Sequence, residues 1–223
     1  IYFYFKKITT IKKETLWYKL TSLIIIFLVT GIISGFIAGL LGVGGGIIIV
    51  PITYFVLLYL DYSSVYAMHI AITSSLGIIC FTSISSIRSH KKLGNINTKI
   101  LKTWVPGIVT GSIVGSYLAS IISGEILVNI FIILALLISL NMAFQRNPFI
   151  ISNNLPRSKL VNFLLSYFIG FLSVLIGIGG GSFSVPTLTM FSKKIHEAVG
   201  TSATLGFFIA LPGVIILVIT GST

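Results

Sequence analysis

Two glycine-rich stretches have the residue types and spacing to present backbone N–H groups to a ligand. Gly35 to Pro51 reads GFIAGLLGVGGGIIIVP, and Gly170 to Pro186 reads GFLSVLIGIGGGSFSVP, so both copies contain G-x-G-G-G, a short apolar stretch and a proline. Glycine permits unusual φ angles and close backbone approach. A helix that begins after such a break starts with N–H groups that lack intrahelical partners and with the positive end of its dipole. That arrangement suits an anion.

Hydroxyl and imidazole side chains follow each glycine break. HIAITSS at His69 to Ser75 aligns with HEAVGTS at His196 to Ser202, so the chain contains a duplicated unit. The hydroxyls can donate to an anion's oxygens or bond back to their own helix. The candidate binding residues are Gly42, Gly44, Gly45, Gly46, Thr73, Ser74, Ser75, Gly177, Gly179, Gly180, Gly181, Thr201 and Ser202.

Composition places the elements that position these residues in a membrane. The 223 residues are 55% hydrophobic and 9% charged, with a mean hydropathy of +1.08, whereas about a quarter of the residues of a soluble domain are charged. A helix needs roughly 20 apolar residues to cross a bilayer. Such runs occur near residues 21–41, 66–87, 104–122, 125–145, 160–177 and 198–219, and shorter runs at 47–59 and 182–191 follow the glycine triplets.

The sequence therefore predicts an all-α polytopic membrane protein with duplicated helical-bundle repeats and glycine-broken, re-entrant helices. Residues 1–20 form a basic cytoplasmic segment, 21–145 a first transmembrane repeat, and 146–159 a cytoplasmic linker. Residues 160–223 form a second repeat that lacks counterparts of the helices at 104–145. Pro51 and Pro186 are expected to set the kink or the end of the short arms.

The net charge of +11 does not indicate a nucleic-acid partner. Basic residues cluster at the N-terminus, at 88–102 and at 146–159, and the positive-inside rule assigns such segments to the cytoplasm. The prediction is a multi-pass membrane protein with a cytoplasmic N-terminus, in which His90 is a solvated cytoplasmic residue of the basic loop. If each broken segment makes one net crossing, the two repeats run parallel. This scheme puts Lys193 and Lys194 outside, but the sequence leaves the side of that loop open.

Several kinds of chemistry are not expected. The acidic residues Glu14, Asp61, Glu125 and Glu197 lie at or near predicted loops, so no carboxylate proton relay is expected within the spans, which favours an anionic or neutral substrate. Cys80 is the single cysteine, and it can form no cysteine metal site within one chain. We expect no metal, no cofactor, no catalytic centre and no enzyme activity.

Two interpretations of the glycine breaks remain open. Irregular backbone at membrane depth survives only when it is buried in protein or faces a water-filled cavity, so paired breaks could converge on one transport site. Alternatively, the glycines only let helices pack closely, and the protein is a non-transporting scaffold or subunit. His69 and His196 could titrate or bind an oxyanion, or they could be interfacial residues at the membrane boundary.

The paired motif resembles the TauE/SafE sulfite exporter family of membrane permeases. The resemblance rests on the duplicated G-x-x-x-G-x-x-G-x-G-G-G pattern and on the A-x-x-[ST]-S segments that end at Ser75 and Ser202. The loop from His90 to Asn95 adds support, and the similarity covers nearly the whole chain from about residue 25. In the second copy, Val174 replaces one motif glycine.

The resemblance implies a bundle of about eight helices in two four-helix halves. It implies a secondary permease that moves a small anion, such as sulfite or a related sulfur oxyanion or organosulfonate, across the bacterial inner membrane. The lipid bilayer and this anion would be its partners, with the coupling ion and the oligomeric state left open.

Overall fold

The computed structural model describes residues 20–38, 45–144 and 150–221, which form eight helices and no strand. In chain order these are α1 (Leu20–Ala38), α2 (Gly46–Tyr59), α3 (Ser64–Lys92), α4 (Thr98–Ile121), α5 (Gly124–Phe144), α6 (Lys159–Leu175), α7 (Gly181–Met190) and α8 (Ile195–Gly221). The predicted all-α membrane fold is confirmed. Five of the described helices, α1, α3, α4, α5 and α8, are long and apolar enough to cross a membrane.

The core lies between α3, α4, α6 and α8. Met68, Leu76, Trp104, Ile108 and Leu205 are all at most 2% exposed, and large apolar side chains on the outer faces are left to meet lipid. The buried polar side chains of the described part of the chain are hydroxyls and a single asparagine. The described core therefore contains no charged side chain.

The bundle has two ends, and we call the one where α3 finishes with His90, Lys91 and Lys92 the basic end. At the basic end, the loop of residues 93–97 meets the start of α8, where the Asn97 N–H donates to Thr201 Oγ1 at 3.0 Å and Asn97 Nδ2 donates to Glu197 Oε1 at 2.5 Å. At the opposite end, the start of α5 packs on the start of α3, with Gly124 against the Val65 carbonyl. These contacts show that α4 and α8 begin at the basic end and that α3 and α5 begin at the opposite end.

The helices that carry the matched histidine and hydroxyl segments, α3 and α8, run antiparallel. Ser83 lies beside Gly206, and Leu76 lies beside Gly213. Residue numbers therefore rise along α3 in the direction in which they fall along α8. The expectation that the two repeats run parallel is therefore wrong. The matched segments have opposite directions, as in inverted-topology transporters.

The backbones of α4 and α6 almost touch. Near their starts, the buried Trp104 Nε1 donates to Asn162 Oδ1 at 3.1 Å. Further along, α4 presents a glycine every fourth residue, and a methyl group on Gly107, Gly111 or Gly115 would collide with the backbone of α6. Small residues allow this close approach. The contacts occur in the same order along both helices, so α4 and α6 run parallel and both begin at the basic end.

The segment α7 returns to the basic end. Its last residue, Met190, accepts a hydrogen bond from the Ile151 N–H at 2.9 Å, and Ile151 belongs to the stretch that leads into α6. Lys193 and Lys194, which connect α7 to α8, therefore lie at the basic end. The expectation that they lie on the other side is wrong, because it assumed that the second broken segment makes a net crossing.

Candidate functional site

The two glycine breaks are in contact inside the bundle. α6 ends at Leu175, two residues before Gly177, whose φ is +64°. There the Ile178 N–H donates to Ser173 O at 2.9 Å and the Gly177 N–H to Val174 O at 3.0 Å. This is the Schellman pattern that closes a helix at a left-handed glycine. Gly46, the first residue of α2, packs directly against the Gly177 carbonyl. The paired motifs thus meet at one point.

A serine fixes this junction from α3. Ser75 Oγ donates to the Gly177 carbonyl oxygen at 2.7 Å, and Ser75 is fully buried. A side chain at Gly177 would meet Ile72 Cα and Val50 Cγ2, each at 3.0 Å. Ser75, Gly46 and Gly177 therefore hold α2, α3 and the second break together, and none of them borders the cavity described next.

A cavity of about 650 Å³ lies beside the second break. It is bordered by α1, α2, α3, α8 and the residues that lead into α7. Five of the predicted site residues line it: Gly45, Gly179, Gly180, Gly181 and Ser202. Its volume falls within the range of small-molecule pockets.

The N-terminus of α7 opens into this cavity. Gly180 is the N-cap, no side chain caps it, and both Gly180 and Gly181 line the cavity. The first N–H groups of a helix lack intrahelical partners and carry a partial positive charge. Gly45 caps α2 in the same way, but its carbonyl accepts a hydrogen bond from Ser34 Oγ at 3.1 Å. The two termini differ in how much backbone they place at the cavity, since Gly179, Gly180 and Gly181 line it from the second break and Gly45 lines it from the described part of the first.

Two residues that line the cavity each carry a buried polar side-chain atom with no hydrogen-bond partner within the described structure. The atoms are Ser202 Oγ, on a fully buried residue, and the buried Nδ1 of His90. Leaving a buried polar group unpaired costs about 1–3 kcal/mol, so each such group calls for an explanation such as a water or a ligand. Here both residues border a cavity that also contains a helix N-terminus.

The prediction that His90 lies in a loop is wrong, although its side chain is only half-buried. It belongs to α3, which continues to Lys92, and it lines the cavity. The helix includes residues 88–92, which follow the apolar span. The basic run therefore ends a helix instead of forming a loop.

The cavity also has lining residues that the glycine motif did not indicate. Hydroxyl residues of α1 and α3 line it: Thr30, Ser34, Thr82, Ser83, Ser85 and Ser86. Together with His90, Ser83 and Ser86 follow the spacing of three to four residues expected for one helix face. That spacing was the available signal, although the frequent serines of this segment obscure it.

Other predicted residues lie away from the cavity. Thr73 Oγ1 donates to His69 O at 2.8 Å, which is the bond back to its own helix. Ser74 is exposed on the outer face, and Thr201 Oγ1 accepts the Asn97 N–H at the basic end. Gly42 and Gly44 lie outside the described residues.

The two matched histidines lie at opposite ends of the bundle. The ring nitrogens of His69 lie 3.0 Å from Ile122 O and 3.2 Å from Val65 O, whereas His196 is exposed at the basic end. Neither borders the cavity. Pro51 and Pro186 lie inside α2 and α7, which continue beyond them, so neither proline ends a short arm.

Comparison with known proteins gives a consistent result. Residues 27–223 match the family model described as "Sulfite exporter TauE/SafE". A "Probable membrane transporter protein" of Haemophilus influenzae is 31% identical over 200 residues, which cover 89% of this chain and 75% of that protein. A protein of Methanocaldococcus jannaschii with a similar description is 32% identical over 179 residues, which cover 79% of this chain and 66% of the relative.

A third relative, a "Probable membrane transporter protein" of Bacillus subtilis, is 29% identical over 217 residues, covering 88% of this chain and 79% of its own. No solved structure matches the chain. These relatives and the family description support a membrane transporter. Because the family model matches nearly the whole length, the chain belongs to the sulfite exporter TauE/SafE family.

Proposed function

We propose that the protein is a secondary permease that moves a small anion, sulfite or a related sulfur oxyanion or organosulfonate, through the cavity beside the second break. The observation that carries the proposal is the meeting of two features in one cavity. The uncapped α7 N-terminus offers backbone donors, and the fully buried Ser202 hydroxyl has no partner among the described residues. The family description supports a sulfur oxyanion as substrate.

Binding would replace the hydration shell of the anion with fixed dipoles. The N–H groups at Gly180 and Gly181 and the Ser202 hydroxyl donate to its oxygens, and such charge-assisted hydrogen bonds are stronger than neutral ones. Ser83 and Ser86 border the same cavity from α3 and can hydrogen-bond the remaining oxygens. The site therefore needs no metal or cofactor in this proposal.

The opposite directions of α3 and α8 support alternating access. In transporters with inverted repeats, rocking of one unit against the other exposes a fixed site to each side in turn. The cavity extends along α3 from Ile78 to His90, close to Lys91 and Lys92 at the basic end. By the positive-inside rule that end faces the cytoplasm, so this conformation would open inward, with α6 and α7 as a re-entrant pair.

The test compares two serines that are equally buried and equally unpartnered. Ser202→Ala removes a donor at the cavity, whereas Ser173→Ala removes a hydroxyl that does not line it. We expect Ser202→Ala to raise the half-saturating sulfite concentration in proteoliposomes about tenfold or more, since a hydrogen bond to a charged group contributes about 1.5–3 kcal/mol. Ser173→Ala should leave it unchanged.

Thermal unfolding in detergent separates binding from folding. Both alanine variants should unfold at or slightly above the wild-type temperature, because neither loses a hydrogen bond made within the described structure. Wild-type vesicles that move none of the tested anions would overturn the permease function. Equal sulfite uptake by Ser202→Ala and wild type would overturn the site.

A further inference from the structure

The cavity has almost no charge of its own. Among the described residues that border it there is no Asp, Glu, Lys or Arg, and His90 is the one titratable side chain. The basic and acidic side chains of the basic end, such as Arg88, Lys91 and Lys92 on α3 and Lys194 and Glu197 around the start of α8, do not border it, and neither does His196. An anion here would meet dipoles and one imidazole.

Such a site discriminates by charge. The penalty for removing an ion from water grows as the square of its charge, so a dianion loses roughly four times as much hydration energy as a monoanion of the same size. The attraction of fixed dipoles grows only in proportion to the charge. The α7 N-terminus supplies the equivalent of about half a positive charge, and the Ser202 hydroxyl adds a single donor.

We propose that the cavity selects oxyanions that carry one negative charge, such as hydrogen sulfite or a sulfonate, over dianions such as sulfate and fully ionised sulfite. The proposal rests on the permease function and names the substrate class of the same site. Sulfonate and sulfate groups both present three or more oxygens on one sulfur, so shape does not separate them. Their charge does.

The first experiment measures uptake of methanesulfonate and of sulfite by proteoliposomes between pH 6 and pH 8.5. Methanesulfonate is a monoanion throughout, so it reports any titration of the protein, including that of His90. The sulfite-to-methanesulfonate uptake ratio should fall with the hydrogen sulfite fraction, by about tenfold per pH unit once the dianion dominates. Sulfate should compete poorly at every pH. A constant ratio, or sulfate competing as well as methanesulfonate, would overturn the proposal.

A second experiment adds a charge to the cavity. Ser86→Lys places an ammonium group at a lining position, whereas Ser89→Lys places one on the same helix away from the lining. Sulfate should inhibit methanesulfonate uptake at least tenfold more strongly in Ser86→Lys than in Ser89→Lys. Equal inhibition in the two variants would show that cavity charge does not set selectivity.

A failure of the permease function can be distinguished from a failure of the proposed selection for monoanions. If no anion moves, thermal stabilisation of the detergent-solubilised protein by methanesulfonate and by sulfate is compared at equal ionic strength. Stabilisation by methanesulfonate alone supports a monoanion site in a protein that does not transport. Equal stabilisation by both anions, or none by either, overturns the charge class.

Discussion

The first glycine break and the second differ in what faces them. In the first, Gly46 presses against the Gly177 carbonyl, and the Gly45 carbonyl accepts a hydrogen bond from Ser34. Both following helices start without a side-chain cap, but the second break places three consecutive glycines at the cavity, whereas Gly45 is the described glycine of the first break that lines it. The same G-x-G-G-G spacing therefore joins the two breaks at Gly46 and Gly177 and places more of the second break's backbone at the cavity.

The glycines of one motif therefore have different roles at different positions. The packing interpretation describes Gly46 and Gly177, where a side chain has no room. The binding interpretation is our proposal for Gly180 and Gly181, which border the cavity. Substitutions at single glycines can therefore test each role separately.

The largest effect is expected at Gly46. In Gly46→Ala, the new methyl group would collide with the Gly177 carbonyl and lie 2.9 Å from Ile178 Cα. Because both obstacles are backbone, we expect the free energy of unfolding to fall by about 3 kcal/mol. Gly77→Ala is the matched control, since nothing lies within 4 Å of its Cβ position, and it should gain about 0.5–1 kcal/mol.

Denaturation in mixed detergent measures both changes. A Gly46→Ala protein as stable as wild type would show that the two breaks do not need their close contact. It would contradict the packing role of Gly46.

A smaller effect is expected at Gly177. Alanine there must adopt a φ near +64°, which costs about 1–2 kcal/mol, and it must also displace Ile72 or Val50. Gly94 has a φ of +68° with open space around it. Gly177→Ala should therefore lose about 2 kcal/mol or more, and Gly94→Ala about 1 kcal/mol.

The difference between these two losses, from the same unfolding assay, isolates the packing at the junction. Equal losses would mean that only the backbone conformation of Gly177 matters.

The smallest effect on folding is expected at Gly179. A methyl group there would meet only the side chain of Ile79, 3.3 Å away, so stability should change by no more than about 0.5 kcal/mol. Since Gly179 lines the cavity, the same methyl group should weaken sulfite uptake about fivefold, equivalent to about 1 kcal/mol. Unchanged uptake would place the transport path away from this wall.

Sequence patterns gave the helices but not the direction of every helix. The apolar runs and glycine triplets located all eight helices to within a few residues, because membrane helices must satisfy their own backbone hydrogen bonds. The return of α7 to the basic end depends on the turn at Gly177, and glycine alone does not specify how far a chain turns. Lys193 and Lys194 held the missing signal, since their charge agrees with the basic end.

The site was only partly predictable for a related reason. Ser75 and Ser202 occupy matched positions, yet Ser75 bonds the Gly177 carbonyl while Ser202 borders the cavity without a partner. Which hydroxyl packs and which remains available depends on the contact between the halves, and no local pattern encodes that contact. The same holds for Ser83 and Ser86, whose inward orientation follows from the packing of α3.

The glycine seam of α4 sets a mechanical condition on any working cycle. Where Gly107, Gly111 and Gly115 lie against the α6 backbone, neither helix can slide by a fraction of a turn without steric overlap. α4 and α6 must therefore move together as one rigid unit, which the Trp104–Asn162 hydrogen bond joins near the start of both helices. Spin labels on α4 and α6 should keep a fixed separation in every state, so the hinges of this protein must lie elsewhere.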